Sequence, residues 1–426
     1  MTRLPVEEVA FHPHSFGDPA GRLFLWRGEL YRGVRQEAAP FAAELVQSVL
    51  PRLAENGLVP PTTLTDLSLE GFDLVLRHQQ IPLAAYPTEW CAAMLREAAL
   101  AYLDVLAELA ELELGLKDVH PWNLVFDGHS PVFVDVMSIA PLNQTLPAFS
   151  EDRFRRYYLN PLLLMTYGHA RIARCLLAEY DGVEPAALAL LPRRARPWRL
   201  PRRRRPTPWP LNVYVDVLAR LRQEVAAVQP PVATGSGKSR PEADAAAAAV
   251  ADALEQLQPE TVLDLHTTDV APARLAADRG LRAVAFCSSD AAANAAFFDA
   301  RAADRSLLPL LIDFTKPTAA VGYLDHYAMA AADRLQCELV VAFGAVDYAL
   351  LRRALTFEHL AAALGSFSSK YALVAQPHAK SVPGEVAART SSISSDDFVR
   401  ALRARFDDVS PFESEASEPQ LLLCRK

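Results

Sequence analysis

LKDVHPWNLVFDGHSPVFVDV, residues 116–136, decides how the N-terminal half of this 426-residue chain is read. Asp118 precedes Asn123 by five residues, and Asp135 closes an apolar run further on. The runs Leu124-Val125-Phe126 and Pro131-Val132-Phe133-Val134 flank Asp127-Gly128, which predicts two strands joined by a tight turn. A carboxylate, an amide and a second carboxylate in that order suit phosphoryl transfer. That reaction needs one carboxylate near the attacking hydroxyl, and an Asn and an Asp holding Mg²⁺ against the phosphates. Asp118 is then the catalytic candidate, with Asn123 and Asp135 as metal candidates. A competing reading keeps the same side chains as hydrogen-bonding struts of a loop that binds no nucleotide.

Upstream, GRLFLWRGELYRGV (21–34) alternates apolar and polar residues around Arg27-Gly28 and predicts a hairpin. APFAAELVQSVLPRLAENG has helical spacing and stops at Gly57. TLTDLSLEGFDLVLRH predicts two short strands around Glu70-Gly71, and 88–114 predicts a long, mostly buried helix. Strands, helix, strands, long helix and then a loop with a hairpin is the order of a bilobal module of the protein-kinase type. Several positions depart from that pattern. Leu116 stands where kinases have His, Asp135 is followed by Val-Met-Ser, and FGDPAGRLF offers only Gly17 and Gly21 to cover phosphates. Arg32 replaces the nucleotide-binding lysine, with Glu37 or Glu44 as its expected helix partner.

The chain is too long for one ordinary core, so two domains are expected. LPRRARPWRLPRRRRPTPWP (191–210) carries no helix or strand period and predicts an extended Arg/Pro connector. It reads better as a solvated linker than as a nucleic-acid arm, because the run shows no regular interleaving of aromatic with basic residues for base stacking. A net charge of −8 gives no general attraction to nucleic acid either. VQPPVATGSGKSRPEAD (228–244) predicts a flexible loop, and LNVYVDVLARLRQEVAAV between the two breaks predicts one bridging helix. The expected division is a kinase-like module over 1–190, a linker with its helix over 191–244, and an α/β domain over 245–426. Five scattered cysteines without a CxxC pair, and no apolar run long enough to span a membrane, predict a cytoplasmic protein without a membrane partner.

In the C-terminal half VLDL, AVAF, SLLPLLIDF and CELVVAFGAV are short apolar runs separated by Ala-rich helical stretches. That alternation predicts a doubly wound α/β sheet with any ligand at the carboxyl ends of its strands. KYALVAQP and QLLLCRK supply later strands with a hairpin-like ending.

Three segments then carry a resemblance: SFGDPAGRLFLWRGELYRGV, GLKDVHPWNLVFDGHSPVFVDVMSI and LPLLIDFTKPTAAVGY. Over residues 11–426 the chain resembles bacterial class I S-adenosylmethionine-dependent methyltransferases that include rhizobial nodulation-associated proteins. The resemblance implies a kinase-like region followed by a Rossmann-like methyltransferase domain, with S-adenosylmethionine as cofactor. It places Asp264 and Asp313 at the cofactor site, with His266 and Cys287 at two further cofactor positions.

The departures from the family fall on those positions. Its DLGCNTG-like turn reads Asp264-Leu265-His266-Thr267-Thr268-Asp269-Val270 here, so both glycine positions carry side chains. Cys287 stands where an acid should grip the ribose, and Asp347-Tyr348 replaces a His-His pair. Asp313 and the Asp333-Arg334 pair are kept. At about 1 to 3 kcal/mol per buried contact, these changes predict a weak or absent cofactor site.

Three functions follow as expectations. One is methyl transfer to a small molecule or peptide, and the second is Mg-ATP-dependent phosphorylation through Asp118, Asn123, Asp135 and Arg32. The third is a non-catalytic scaffold or partner subunit of a biosynthetic complex. His120, Trp90 and Trp122 read as packing residues rather than ligands or base platforms.

Overall fold

The computed structural model describes residues 2–15, 17–145, 151–179, 181–195, 210–232, 241–267, 270–322, 325, 327–376, 395–414 and 420–426. Most of the Arg/Pro stretch (196–209), the centre of the Gly/Ser loop (233–240) and Thr268 lie outside the described residues. The chain forms two compact units, Met1–Pro230 with Ala320–Met329, and Pro231–Ala319 with Ala330–Lys426.

In the first unit, β1 (Thr2–Arg3) pairs in parallel with β6 (Leu67–Ser68). The main sheet runs β2 (Ala10–Phe11), β3 (Gly21–Trp26), β4 (Glu29–Val34), β7 (Leu74–His78) and β5 (Thr62–Leu64), antiparallel throughout. The β3–β4 turn has positive φ at Arg27 (50°) and Gly28 (80°), as two-residue hairpins with right-handed strand twist require. Alternation then sorts the side chains. Phe24, Tyr31 and Val75 bury one face with Leu4 and Leu69, the Phe24 and Tyr31 rings stacking at 5.5 Å. The opposite face receives Arg32 paired with Leu76, and Leu30 paired with His78. The stretch expected to hold two strands holds three, because Leu67–Ser68 leaves the main sheet to pair with the N-terminus.

Between β4 and β5 lie α1 (Ala39–Glu44) and α2 (Leu50–Glu55), joined by one π turn. Gly57 (φ 68°) ends the run, with Leu58 N–H donating to Leu53 O at 2.9 Å. After β7 comes α3 (Ala92–Ala110), buried almost all round. The predicted bridging helix forms as Leu211–Ala227 and packs along α3. Tyr214, Leu218, Leu221 and Val225 make its buried stripe, and Arg222 pairs with Asp104 at 2.7 Å. Beyond α3, β8 (Leu114–Leu116) pairs with β11 (Ile139–Pro141), and β9 (Leu124–Asp127) forms the expected hairpin with β10 (Ser130–Phe133).

The second unit is one seven-stranded sheet in the order β14 (Leu307–Leu310), β13 (Arg282–Cys287), β12 (Thr261–Thr267), β15 (Cys337–Ala342), β16 (Ser368–Ala375), β18 (Leu421–Arg425), β17 (Asp408–Phe412). The first five are parallel and β18 enters antiparallel between β16 and β17. Val262, Leu263, Leu265, Val284 and Val340 are fully buried, as strands covered on both faces should be. The sheet is Rossmann-like, and its strand order reverses at β12, which puts the carboxyl ends of β12 and β15 at the switch point where such sheets bind ligands.

Candidate functional sites

In the first unit, local backbone bonds gather the motif. Val134 N–H donates to Asn123 O at 2.9 Å, holding Asn123 and Asp135 at the same end of the β9–β10 hairpin. Lys117 N–H donates to Ser138 O at 2.9 Å and Asp118 N–H to Ser138 Oγ at 3.2 Å, which sets the Asp118 loop beside the segment after Asp135. Tyr102, buried on α3, donates its hydroxyl to Asp118 O at 3.0 Å. Burial raises the pKa of Asp135; the Arg32 guanidinium opposes this, while the carboxylates of Asp18 and Asp118 add to the rise. Arg32, Asp135 and Asp118 therefore share one electrostatic neighbourhood. The side-chain amide nitrogen of Asn123 is buried and has no hydrogen-bond partner.

Arg32 does not pair with Glu37 or Glu44, both of which are exposed. Its guanidinium is ion-paired with Asp18, and the two side chains keep 6% and 22% of their exposure. The physical reason is direction. Arg32 points off the face of β4 toward the loop between β2 and β3, whereas Glu37 and Glu44 turn to solvent. Asp18 escaped the sequence reading because it sits in an aperiodic loop, where a carboxylate has no pattern to mark it.

His120 packs inside its loop. Its Nδ1 accepts from Trp122 N–H at 3.3 Å, its ring lies 4.8 Å from that of Tyr157, and burial lowers its pKa to about 4. Trp90 is fully buried against Phe126 at 5.1 Å, and the Trp122 indole N–H donates to Leu177 O at 3.2 Å. Among the described residues no three His, Cys, Asp or Glu side chains converge as metal ligands. The carboxylate of Asp135 and the amide of Asn123 are the donors that could hold Mg²⁺ here.

In the second unit, Asp264 is buried within β12 and Cys287 is buried at the end of β13. His266 and Asp313 come together at the carboxyl end of the sheet, joined by a residue from beyond β15. Tyr348 stacks on His266 with ring centroids 4.1 Å apart and planes at 22°. The Tyr348 hydroxyl donates to Asp313 Oδ2 at 3.0 Å and accepts from Arg353 Nε–H at 2.9 Å, and Arg353 is ion-paired with Asp313. Thr315 donates twice to Asp313 Oδ1, from its hydroxyl at 2.7 Å and its N–H at 3.0 Å. Burial works to raise the Asp313 pKa, but these hydrogen bonds and Arg353 hold it below the usual carboxylate value. Burial lowers the pKa of His266, with Asp313 opposing. Phe314 lies 6.1 Å from His266 and 5.8 Å from Tyr348.

Val270 takes φ 53°, a left-handed conformation that a β-branched residue rarely adopts, and its N–H donates to Thr267 Oγ1 at 2.8 Å. Tyr348 was visible in the sequence as a departure from the family, but Arg353 carried no signal.

No family model matches the chain. It is 23% identical over 367 residues to nodulation protein NoeA of Rhizobium meliloti (strain 1021), a match that covers 77% of each protein. Among solved structures it is similar to monomeric WbdD, with 12% identity over 45% of this chain and 42% of that one, at a TM-score of 0.32. Another structure calls WbdD a bifunctional kinase-methyltransferase, matched at 12% identity over 43% and 38% of the two chains with a TM-score of 0.30. TehB from Haemophilus influenzae is similar at 14% identity over 42% of this chain and 61% of its own, with a TM-score of 0.29. The matches thus span less than two thirds of these solved chains.

Proposed function

We propose that the chain couples a phosphotransferase-type module to a methyltransferase-like unit that does not use S-adenosylmethionine. The observation that carries this reading is the packing of Tyr348 on His266 with the Asp313–Arg353 pair beside it. A methyl-donor cofactor needs bare backbone after the first strand and free acceptors at the strand ends. Here those ends hold an aromatic stack and a carboxylate already engaged by Thr315, Tyr348 and Arg353. The second unit is then a positioning or partner-holding body in a specialised pathway.

The chemistry falls to the first unit, a reading favoured by the backbone bond that sets Asn123 and Asp135 at one end of the hairpin and by the shared electrostatic neighbourhood of Asp135 and Asp118. Asn123 and Asp135 would hold Mg²⁺, which neutralises phosphate charge when bound. Asp118 would accept the proton of a hydroxyl on a small molecule or peptide. Arg32 would turn from Asp18 toward the phosphates. Two titrations test the parts separately: Mg-ATP should raise the melting temperature by mass action, and S-adenosylmethionine should not. A melting shift with the methyl donor alone would reverse the proposal.

A further inference from the structure

One segment from the later half of the sequence is built into the first unit. Ala320–Met329 follows β14 in the chain, yet it belongs with Met1–Pro230. An antiparallel bridge closes it into a loop: Val321 N–H donates to Ala328 O at 3.0 Å, and Ala328 N–H to Val321 O at 3.1 Å. The Val321 carbonyl also accepts from Tyr327 N–H at 3.0 Å. Gly322 has φ 96°, and a Cβ there would lie 2.1 Å from Tyr327 Cβ, so only glycine leaves Tyr327 its place.

The loop delivers Tyr327 to Trp122. Their ring centroids lie 5.6 Å apart, and Tyr86 packs on the same indole at 5.2 Å. Both spacings are those of attracting aromatic pairs. Met329 N–H donates to the Tyr86 hydroxyl at 3.4 Å, so the loop and the indole share one tyrosine.

Trp122 is the middle residue of the single 3₁₀ turn Pro121–Asn123. A turn this short has poor hydrogen-bond geometry and no length to stabilise itself, so its side-chain contacts set its position. Asn123 is the next residue, its N–H donating to His120 O at 3.2 Å within the same turn. Tyr327 stays 49% exposed. A side chain half in water contributes little to folding, yet this one bears on the residue beside a candidate metal ligand. We propose that Tyr327 is a positioning residue for the metal-nucleotide site, acting through Trp122 on Asn123, a role that rests on the phosphotransferase reading of the first unit.

The full chain labelled with 5-fluorotryptophan reports on Trp122, with Trp122→Phe assigning one of the five ¹⁹F lines. The probe is Mn²⁺ with AMP-PNP, a non-hydrolysable ATP analogue. The concentration that half-broadens the Trp122 line reads metal-nucleotide affinity without turnover. Tyr327→Ala should raise that concentration about tenfold, the low end for groups that orient a metal ligand. Tyr327→Leu keeps bulk without the ring and should follow alanine, which covers a failure of the alanine variant to fold. Tyr327→Phe keeps the ring and should match the wild type. A wild-type line that broadens saturably, with the same half-point in Tyr327→Ala or Tyr327→Leu, would overturn the role of Tyr327 and leave the phosphotransferase reading standing. An equal loss in Tyr327→Phe would do the same, because the hydroxyl and not the ring would then be acting. A wild-type line that never broadens would overturn both.

Discussion

Tyr348 lies face to face with His266, 4.1 Å between ring centroids, at the strand end where a Rossmann-like sheet ordinarily receives its ligand. The same tyrosine hydroxyl bridges Asp313 and Arg353. One side chain thus ties β12 and the loop after β14 to the segment that follows β15.

Tyr348→Phe keeps the stack and deletes both hydroxyl bonds. Asp313 and Arg353 stay paired and partly solvated, so the loss should be small, about 1 kcal/mol. Urea unfolding of the wild type and the variant, compared through the midpoint at equal slope, measures it.

Asp313 gives a pH signature. Its folded pKa lies below the ordinary value, so its stabilisation is present above the unfolded pKa of about 3.9 and fades as pH falls through the folded value. Asp313→Asn should be the less stable protein at pH 7, by about 1 kcal/mol or less because the site is partly open to solvent. The gap should close in acid. Thermal melts across that range, with an unchanged gap at low pH, would remove Asp313 as the cause.

Asp135 carries the opposite sign. Its folded pKa is raised, so its contribution is greatest below the unfolded pKa of about 3.9 and is lost as pH rises through the folded value. At neutral pH the buried carboxylate is a burden, and Asp135→Asn should melt higher than wild type without ligand. The same variant should lose the shift that Mg-ATP gives the wild type, since one metal donor has become an amide. Scanning calorimetry of both proteins with and without Mg-ATP separates the two effects.

The Arg32–Asp18 pair is the strut of the proposed nucleotide side. Asp18→Asn leaves a nearly buried guanidinium without its counter-charge, a change that costs about 3 kcal/mol when the charge cannot reach water. Chemical denaturation should register a loss near that size, and a loss below about 0.5 kcal/mol would mean that Arg32 finds another acceptor.

Where short-range patterns govern the chain, the sequence was readable. Alternation over 21–34 and the turn at Arg27-Gly28 predicted β3 and β4, and the apolar runs at 262–265 and 283–286 predicted β12 and β13. The apolar runs around Asp127-Gly128 predicted the β9–β10 hairpin, at one end of which Asn123 and Asp135 sit. Long-range choices were not readable. Arg32 selects Asp18 fourteen residues away and Asp313 selects Arg353 forty residues away, and neither partner lies on a period that a single sequence displays. The packing of Leu211–Ala227 on α3 was hidden for a related reason. Its stripe of Tyr214, Leu218, Leu221 and Val225 shows that a face is buried but not which surface covers it.

Isothermal calorimetry of the purified chain with S-adenosylmethionine tests the central claim most directly. Side chains at the cofactor turn and an occupied Asp313 predict no saturable heat at any concentration below about 1 mM, less than roughly 4 kcal/mol of binding free energy. A dissociation constant in the low micromolar range would contradict the account, because Tyr348, His266 and Arg353 would then have to leave the strand ends for the cofactor to enter.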